Sequence, residues 1–413
     1  MGSQVGIQLA EGRIEGHCDP RFQQVADEFE RNFRERGEVG ASVSLVFEGE
    51  RVVDLWGGFA DQERTRPWTR DTICTVFSCT KGATALCAHI LASRGQLDVE
   101  APVANYWPEF AHGAKEHVTV RMMLDHSAGV AAFHEPLRPK GCTDWDYVVD
   151  RLAKEEPWWK PGTRNGYHML SFGWTVGELV RRVSGKSLGT FFQDEVAKPL
   201  GIDFWIGLPE ELEPRVAPII PYVREPGEPL SEFELAIVSD NQSLQALSLL
   251  NNGGFDPNDR ECHAAEIGGG GGIANARALS GMYAPLAHGG ELNGVRLVDP
   301  VTLTKMGKVS AATNEDATLL IPTRFALGFM KSMDNQRRPR GGRDSAILSA
   351  EAFGHVGAGG SIGFADPAAR FSFGYAMNRM GKGILLNDRG QSLVDAAYRS
   401  VGYRDNDAGA WTR

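Results

Sequence analysis

The sequence lacks the patterns that define several large classes of protein. No stretch approaches the ~18 uninterrupted apolar residues that a membrane-spanning helix requires, so we expect no membrane span. Only six cysteines are present, without a C-x-x-C pair, which argues against a disulfide scaffold. The ten histidines show no H-E-x-x-H or comparable ligand spacing, and we therefore expect no metal site.

Positive charge is also scarce. The chain has 43 Lys and Arg against 53 Asp and Glu, a formal net charge of −10. A protein that binds a phosphate backbone needs a basic stripe, so we expect no nucleic-acid partner. The N-terminal residues lack the basic and then apolar order of a secretory signal. Together these features predict a cytoplasmic protein, whose oligomeric state the sequence leaves open.

Glycine is the residue in excess. There are 49 glycines among 413 residues, well above the ~7% of an average protein. The hydrophobic and charged fractions of 42% and 23% are ordinary, which favours a folded chain with many tight turns over a low-complexity one. Five glycines form the run 268–272 and five more lie within residues 354–363.

The hydrophobic period differs between the two ends of the chain and its middle. Alternating apolar residues predict a hairpin near residues 41–58 and a strand at 370–378, followed by a helix over about 388–400. Between about residues 80 and 285 the period is mostly helical, and we predict helices at 81–93, 144–154 and 171–184. Strands at both ends with helices between them predict an α+β protein whose sheet joins distant parts of the chain.

The first candidate for chemistry is the tetrad SCTK, residues 78–81, at the start of a predicted helix. Residues three apart share a helix face, so Lys81 is placed beside Ser78. A lysine kept neutral by burial could accept the hydroxyl proton that makes serine a nucleophile. The same tetrad also fits a helix that Ser78 caps and on which Lys81 is solvated.

Two further segments supply polar groups. In PGTRNGYH, residues 161–168, a turn precedes Tyr167, whose phenol could relay a proton to a leaving group or could lie at an amphipathic rim. In FGHVGAGGSIG, residues 353–363, glycines precede a strand and could let a substrate approach its edge. This segment also matches G-x-S-x-G around Ser361, but a strand rather than a helix follows and no histidine comes after His355. We therefore interpret Ser361 as a turn residue.

Taken together, these segments resemble the serine β-lactamase and penicillin-binding protein superfamily, specifically its class C-like branch and the related family VIII carboxylesterases. The resemblance covers most of the chain. It includes SCTK, PGTRNGY and HVG, and also the segments at residues 118–129, 198–202, 268–277 and 325–329. It implies an α+β, β-lactamase/transpeptidase-like fold with an antiparallel sheet flanked by helices. The implied division is an α/β sandwich domain of residues 1–100 and 251–413, with an inserted mainly helical domain of residues 101–250.

The resemblance also implies roles for individual residues. Ser78 corresponds to the acylated nucleophile, Lys81 to its proton acceptor, and Tyr167 to the tyrosine of the family's Tyr-x-Asn motif. His355, Val356 and Gly357 occupy the Lys-Thr-Gly strand, which implies an oxyanion hole formed by the N–H groups of Ser78 and Ala358. His126 is expected to hold a loop beneath the site. No metal or organic cofactor is implied.

Two positions depart from the family pattern. Met169 stands where the motif has asparagine, and His355 stands where it has lysine. A titratable histidine is a weaker fixed positive charge at neutral pH, which favours neutral substrates over anionic β-lactams. Aromatic residues near the expected cleft could line an acyl pocket or pack in the core: Phe133, Trp158, Trp159, Phe172 and Trp174.

We therefore expect a serine carboxylesterase-type hydrolase that cleaves esters, or amides, of small molecules through an acyl-enzyme on Ser78. Three alternatives remain open at this point. An acyltransferase would use the same acyl-enzyme, a β-lactamase or D-amino-acid peptidase would use the same residues, and a binding module would use the fold without catalysis. The natural acyl and leaving groups are not encoded in any recognisable motif.

Overall fold

A computed structural model describes residues 3–338 and 343–413. The strands are β1 Ser3–Gln8, β2 Arg13–Cys18, β3 Gly40–Phe47, β4 Glu50–Gly58, β5 Cys74–Thr75, β6 Phe204–Trp205, β7 Ile273–Ala274, β8 Glu291–Leu292, β9 Val295–Arg296, β10 Ala311–Thr313, β11 Thr323–Phe325, β12 Phe353–Val356, β13 Ile362–Asp366 and β14 Phe371–Met377. The helices are α1 Gln23–Glu35, α2 Cys79–Ser93, α3 Val120–Leu124, α4 Trp145–Lys154, α5 Ser171–Ser184, α6 Leu188–Phe192, α7 Lys198–Leu200, α8 Glu232–Ser239, α9 Leu244–Leu250, α10 Arg260–Ala264, α11 Ala276–Ala287, α12 Pro300–Gly307 and α13 Asp388–Ser400.

The main sheet joins the two ends of the chain, as the sequence predicts. Its seven strands are antiparallel and run in the order β1-β2-β4-β3-β14-β13-β12. The junction is the pairing of β3 with β14, in which Val43 lies opposite Tyr375. Strand β12, which carries the first two residues of the HVG segment, is the last strand of this sheet. It contacts α2, the helix that begins directly after Ser78.

Both faces of the sheet are covered. Helices α1 and α13 pack together on one side, where Val43 and Leu45 join their apolar cluster. On the other side α11 lies against β3, β13 and β14. Small residues face α11: a Cβ atom at Gly374 would lie 2.2 Å from the carbonyl oxygen of Ala276. Glycine at this position therefore allows the helix to approach the sheet closely.

The predicted helices form at nearly the predicted boundaries. Helix α4 begins after Asp144, whose side chain accepts a hydrogen bond from the N–H of Tyr147 at 3.1 Å. Helix α5 ends at Gly185, which has a left-handed backbone with φ of +72°. In the described part of the chain no helix is both long and apolar enough to cross a membrane.

Helices dominate the middle of the chain. A small three-stranded sheet joins this part of the chain to the segment that precedes Ser78. Its order is β5-β7-β6, so short segments from three parts of the chain meet. Strand β5 leads directly into α2, and β7 follows the glycine run 268–272. The division of the chain at residues 101 and 250 stays a prediction.

Candidate active site

Ser78 lies at the N-terminus of α2, immediately before its first residue, Cys79. The preceding residue, Phe77, has a left-handed backbone with φ of +45°, an uncommon conformation for a bulky residue. Ser78 occupies the N-cap position but its side chain makes no capping hydrogen bond. It is half-buried. The alternative in which Ser78 serves as a helix cap is therefore wrong.

Lys81 is completely buried, with 0% of the residue exposed. Its Nζ atom lies 2.9 Å from Oγ of Ser78. It also donates hydrogen bonds to the carbonyl oxygens of Met169 and Gly269, both at 2.5 Å. The alternative of a solvated lysine is therefore wrong as well. Burial lowers the pKa of the Lys81 amine well below its usual range.

The three contacts of Lys81 suit a neutral amine. Such an amine has two N–H donors and one lone pair, and carbonyl oxygens can only accept hydrogen bonds. When the two N–H groups point to Met169 and Gly269, the lone pair faces the hydroxyl of Ser78. The same three oxygen atoms also satisfy a protonated amine, so the site can hold Lys81 in both states.

Tyr167 lies over Lys81 in the buried part of the site. Its ring centroid is 4.7 Å from Nζ of Lys81, and among the described residues its hydroxyl has no hydrogen-bond partner. Burial raises the pKa of the Tyr167 phenol, an effect that the hydroxyl of Ser78 opposes. The phenol is therefore protonated at neutral pH and has a proton to donate.

Asp316 positions Tyr167 from the opposite side. The N–H of Tyr167 donates to Oδ1 of Asp316 at 2.9 Å. The same oxygen accepts from the N–H groups of Thr318 and Leu319, and Oδ2 accepts from Thr323 Oγ1 at 3.1 Å. No local pattern in the sequence indicates a role for Asp316, because it lies 149 residues from Tyr167.

His355 lies on β12 at the edge of the main sheet, with its ring centroid 6.0 Å from that of Tyr167. Its Nδ1 lies 2.8 Å from the carbonyl oxygen of Val356, which requires the proton on Nδ1 and leaves Nε2 as an acceptor. That Nε2 atom is buried and has no partner among the described residues. Burial and the nearby Lys81 lower the pKa of His355 to about 3, so the imidazole is neutral.

The turn after His355 brings Ala358 close to the segment before Ser78. A Cβ atom at Gly357 would lie 2.3 Å from the carbonyl oxygen of Val76, so only glycine permits this approach. Ser361 supports the same contact by donating to Val76 O at 3.3 Å. Within the described residues, the N–H groups of Ser78 and Ala358 have no acceptor. Two unpaired donors are thus available beside the serine.

Two other positions singled out in the sequence lie around the same centre. Met169 contributes its carbonyl group to Lys81, while its sulfur accepts from Ser248 Oγ at 3.1 Å. His126 is buried and has φ of +66°, and its Nδ1 accepts from the N–H of His168 at 3.1 Å. Its ring packs 4.9 Å from that of Tyr167, which fits the expected place beneath the site.

The candidate aromatic residues divide into two groups. Trp159 is half-buried, and its ring packs against Gly166, the residue before Tyr167. The packing is close, since a Cβ atom added at Gly166 would lie 2.6 Å from the ring. Trp158 is also half-buried and stacks on His134 with ring centroids 4.2 Å apart. The other three belong to the apolar core: Phe133, Phe172 and Trp174.

Comparisons with known proteins identify the family and the fold. The Beta-lactamase family model matches residues 26–397. The chain is 34% identical over 394 residues to "Esterase/beta-lactamase LipL" of Mycobacterium tuberculosis (strain ATCC 25618 / H37Rv), covering 91% of this chain and 85% of that protein.

Two solved structures are similar over almost their whole length. One is described as a family VIII carboxylesterase, with a TM-score of 0.83, 39% identity, and coverage of 94% of this chain and 99% of that one. The other is a penicillin-binding protein homologue from Caulobacter crescentus, with a TM-score of 0.82, 35% identity and the same coverages. These matches confirm the predicted resemblance and the predicted fold class.

Proposed function

The chain belongs to the beta-lactamase family, and from that membership we propose that it hydrolyses carboxylic esters of small molecules through an acyl-enzyme on Ser78. The observation that carries this assignment is the position of Lys81. Its buried amine lies 2.9 Å from the Ser78 hydroxyl and is held by two carbonyl oxygens. A serine hydroxyl needs an adjacent base to become a nucleophile, and this amine is such a base.

Acylation begins when the Ser78 hydroxyl gives its proton to Nζ of Lys81 while Oγ forms a bond to the ester carbonyl carbon. The carbonyl oxygen becomes negative and binds the N–H groups of Ser78 and Ala358, the two donors left unpaired beside the serine. The ammonium group formed on Lys81 keeps three oxygen neighbours. Charge separation in this buried place is therefore stabilised without a rearrangement of side chains.

The intermediate then breaks the bond between its carbonyl carbon and the leaving oxygen. Tyr167 gives its phenolic proton to that oxygen, and Lys81 returns a proton to the phenolate. In the second half, water attacks the acyl carbon and gives a proton to the neutral amine of Lys81. The bond to Oγ breaks, Tyr167 supplies the proton that restores the Ser78 hydroxyl, and Lys81 returns its proton to the phenolate.

Neutral esters fit the site better than anionic β-lactams. The His355 imidazole is neutral because burial and Lys81 lower its pKa to about 3. It therefore offers an acceptor, and no fixed positive charge, to a substrate carboxylate. Met169 presents a thioether at the position where the family motif has an amide. Both positions favour a substrate without a carboxylate near the scissile bond.

Mass spectrometry of the intact protein during turnover of p-nitrophenyl acetate tests this function. We expect a transient mass increase of one acetyl group, located on the peptide that contains Ser78, with a burst of p-nitrophenol. Absence of both in a folded, substrate-consuming enzyme would contradict the acyl-enzyme. A series of acyl chain lengths on the same leaving group, compared with nitrocefin by kcat/KM, then defines the substrate class.

We also propose that the protein acts in the cytoplasm. All six cysteines are free thiols in the structure, as expected for a protein kept in a reducing compartment. Fractionation of cells that express the protein from its own gene tests this location, and recovery outside the cytoplasmic fraction would contradict it.

A further inference from the structure

A polar cleft lies on the α11 side of the main sheet, apart from the proposed active site. It has a volume of about 590 Å³, and none of the proposed catalytic residues lines it. Its polar wall contains Arg51 at the start of β4, Arg70 before β5, and Asn275 and Arg277 at the start of α11. We call it the arginine cleft. No step of the ester hydrolysis uses these residues.

Arg51 is the unusual charge in this cleft. Within residues 3–338 and 343–413 it has no carboxylate within ion-pair distance, and its Nη1 atom instead donates to the hydroxyls of Ser44 and Ser280. Burial lowers the pKa of Arg51. The carboxylate of Asp54 opposes this effect, and the neighbouring guanidinium groups of Arg277 and Arg70 add to it. Like charges and desolvation both disfavour an arginine here unless an anion accompanies it.

Asn275 contributes a donor that has no acceptor. Its residue is 3% exposed, and its Oδ1 caps α11 by accepting from the N–H of Ala278 at 3.0 Å. This cap fixes the orientation of the amide and leaves Nδ2 without a hydrogen-bond partner among the described residues. A buried donor without a partner is costly, so a missing acceptor is the natural explanation.

The carboxylates near the cleft are already shared by other arginines. Nη1 of Arg277 lies 3.5 Å from Asp54, and its Nη2 lies 3.4 Å from Asp71. Arg70 lies 4.0 Å from the same Asp54. Asp203, which also lines the cleft, pairs with Arg215. Three arginines line the cleft, Arg51, Arg70 and Arg277, against two carboxylates, Asp71 and Asp203, so the lining carries one positive charge in excess.

We propose that the arginine cleft binds the phosphate group of a small molecule. Guanidinium groups are common phosphate-binding elements of proteins. The donors that line the cleft belong to different elements, with Arg51 on β4 and Asn275 and Arg277 at the start of α11. Donors from separate elements around one cleft suit the tetrahedral oxygens of a phosphate better than the two oxygens of a planar carboxylate.

The cleft does not share its lining with the proposed catalytic residues, since Ser78, Lys81 and Tyr167 are all absent from it. Along the chain, β5 follows Arg70 and precedes Ser78. A ligand bound in the arginine cleft therefore occupies a place distinct from the ester. Its binding does not depend on the proposed catalytic roles, so the two proposals can fail separately.

Isothermal titration calorimetry with inorganic phosphate, at constant ionic strength, tests the proposal. We expect saturable binding with a 1:1 stoichiometry. Asn275→Asp retains the capping oxygen but replaces the unpaired donor with a negative oxygen, and it should weaken binding at least tenfold. Arg51→Gln removes a side chain that has no carboxylate partner, so it should fold normally and also weaken binding at least tenfold.

Asn241→Asp is the matched control, because it makes the same change of charge at an exposed position outside the cleft. It should bind phosphate like the unaltered protein. Titration with succinate measures whether the cleft binds carboxylates as well as it binds phosphate. No saturable binding of phosphate, tighter binding of succinate than of phosphate, or unchanged binding by folded N275D and R51Q proteins would each overturn the proposal.

Discussion

The carbonyl oxygen of Met169 lies 2.5 Å from Nζ of Lys81. At this position the family motif carries an asparagine side chain, and in this chain the main chain makes the polar contact. The base is therefore held by an atom that every amino acid possesses. The side chain of Met169 takes no part in this contact, and its sulfur accepts a hydrogen bond from Ser248.

Substitution of Met169 by leucine tests this separation. Leucine conserves the volume and keeps the carbonyl group, so we expect kcat for p-nitrophenyl acetate to stay within about threefold. The loss of the contact between sulfur and Ser248 is a loss of a weak hydrogen bond only. A decrease of 100-fold or more would show that the thioether itself takes part in the reaction.

Two serines compete for the role of nucleophile, and a pair of alanine variants distinguishes them. Ser78→Ala should lower kcat for p-nitrophenyl esters by at least ~10³-fold, because Ser78 carries the one hydroxyl among the described residues that is hydrogen-bonded to Lys81. Ser361→Ala, in the segment that matches G-x-S-x-G, should retain activity within a few-fold. Circular dichroism confirms that both proteins fold. Activity retained by S78A, or lost only in S361A, would refute the assignment.

Removal of the Tyr167 hydroxyl should slow catalysis while leaving the packing intact. Tyr167→Phe keeps the ring that contacts His126 and Phe325, and we expect kcat to fall by ~10²-fold or more with a poor leaving group. Tyr283→Phe is the matched control, since it removes another buried phenol oxygen that has no hydrogen-bond partner among the described residues. Equal losses in the two variants would indicate a structural effect.

The pH dependence of kcat/KM should follow Lys81. Below its pKa the amine is already protonated and cannot accept the proton of Ser78, so activity should rise with pH and level off above that pKa. The pKa of His355 is about 3, so this residue should give no inflection above pH 5. His355→Gln should therefore leave the rising limb at the same pH. A shift of that limb to the ordinary histidine range, or its disappearance in H355Q, would assign the base to His355.

Acid should destabilise the fold through its buried histidines. Unfolded histidine binds a proton below about pH 6.5, whereas folded His89 and His168 bind one only below about 4 and His355 only below about 3. The unfolded state therefore takes up more protons, and the free energy of unfolding falls as pH decreases from 6.5 towards 4. Each histidine contributes about 2 kcal/mol to the loss between pH 7.5 and 5.

Urea denaturation at those two pH values measures this loss. The His355→Gln variant should lose about 2 kcal/mol less than the unaltered protein over the same interval. Because both proteins share every other titrating group, the difference isolates the one histidine. An identical loss in the two proteins would show that His355 binds its proton equally well when folded.

The sequence predicts the local parts of this site well. The contact of Ser78 with Lys81 follows from helix geometry, and the limits of α5 follow from its apolar period and the glycine after it. Strands β1 and β2 carried no clear pattern and were not expected. Asp316 was missed because its contact with Tyr167 joins positions 149 residues apart. The neutrality of His355 depends on burial by several segments, which no single stretch of sequence reveals.

The sheet that carries the site closes between strands from opposite ends of the chain, since β3 pairs with β14. A ribosome makes Ser78 and Lys81 long before Ala358, the second proposed oxyanion donor, and before β14, the partner strand of β3. During that interval the open edge of β3 is available for wrong pairing. The growing chain thus holds its proposed nucleophile without the means to use it until β14 has been made and has paired.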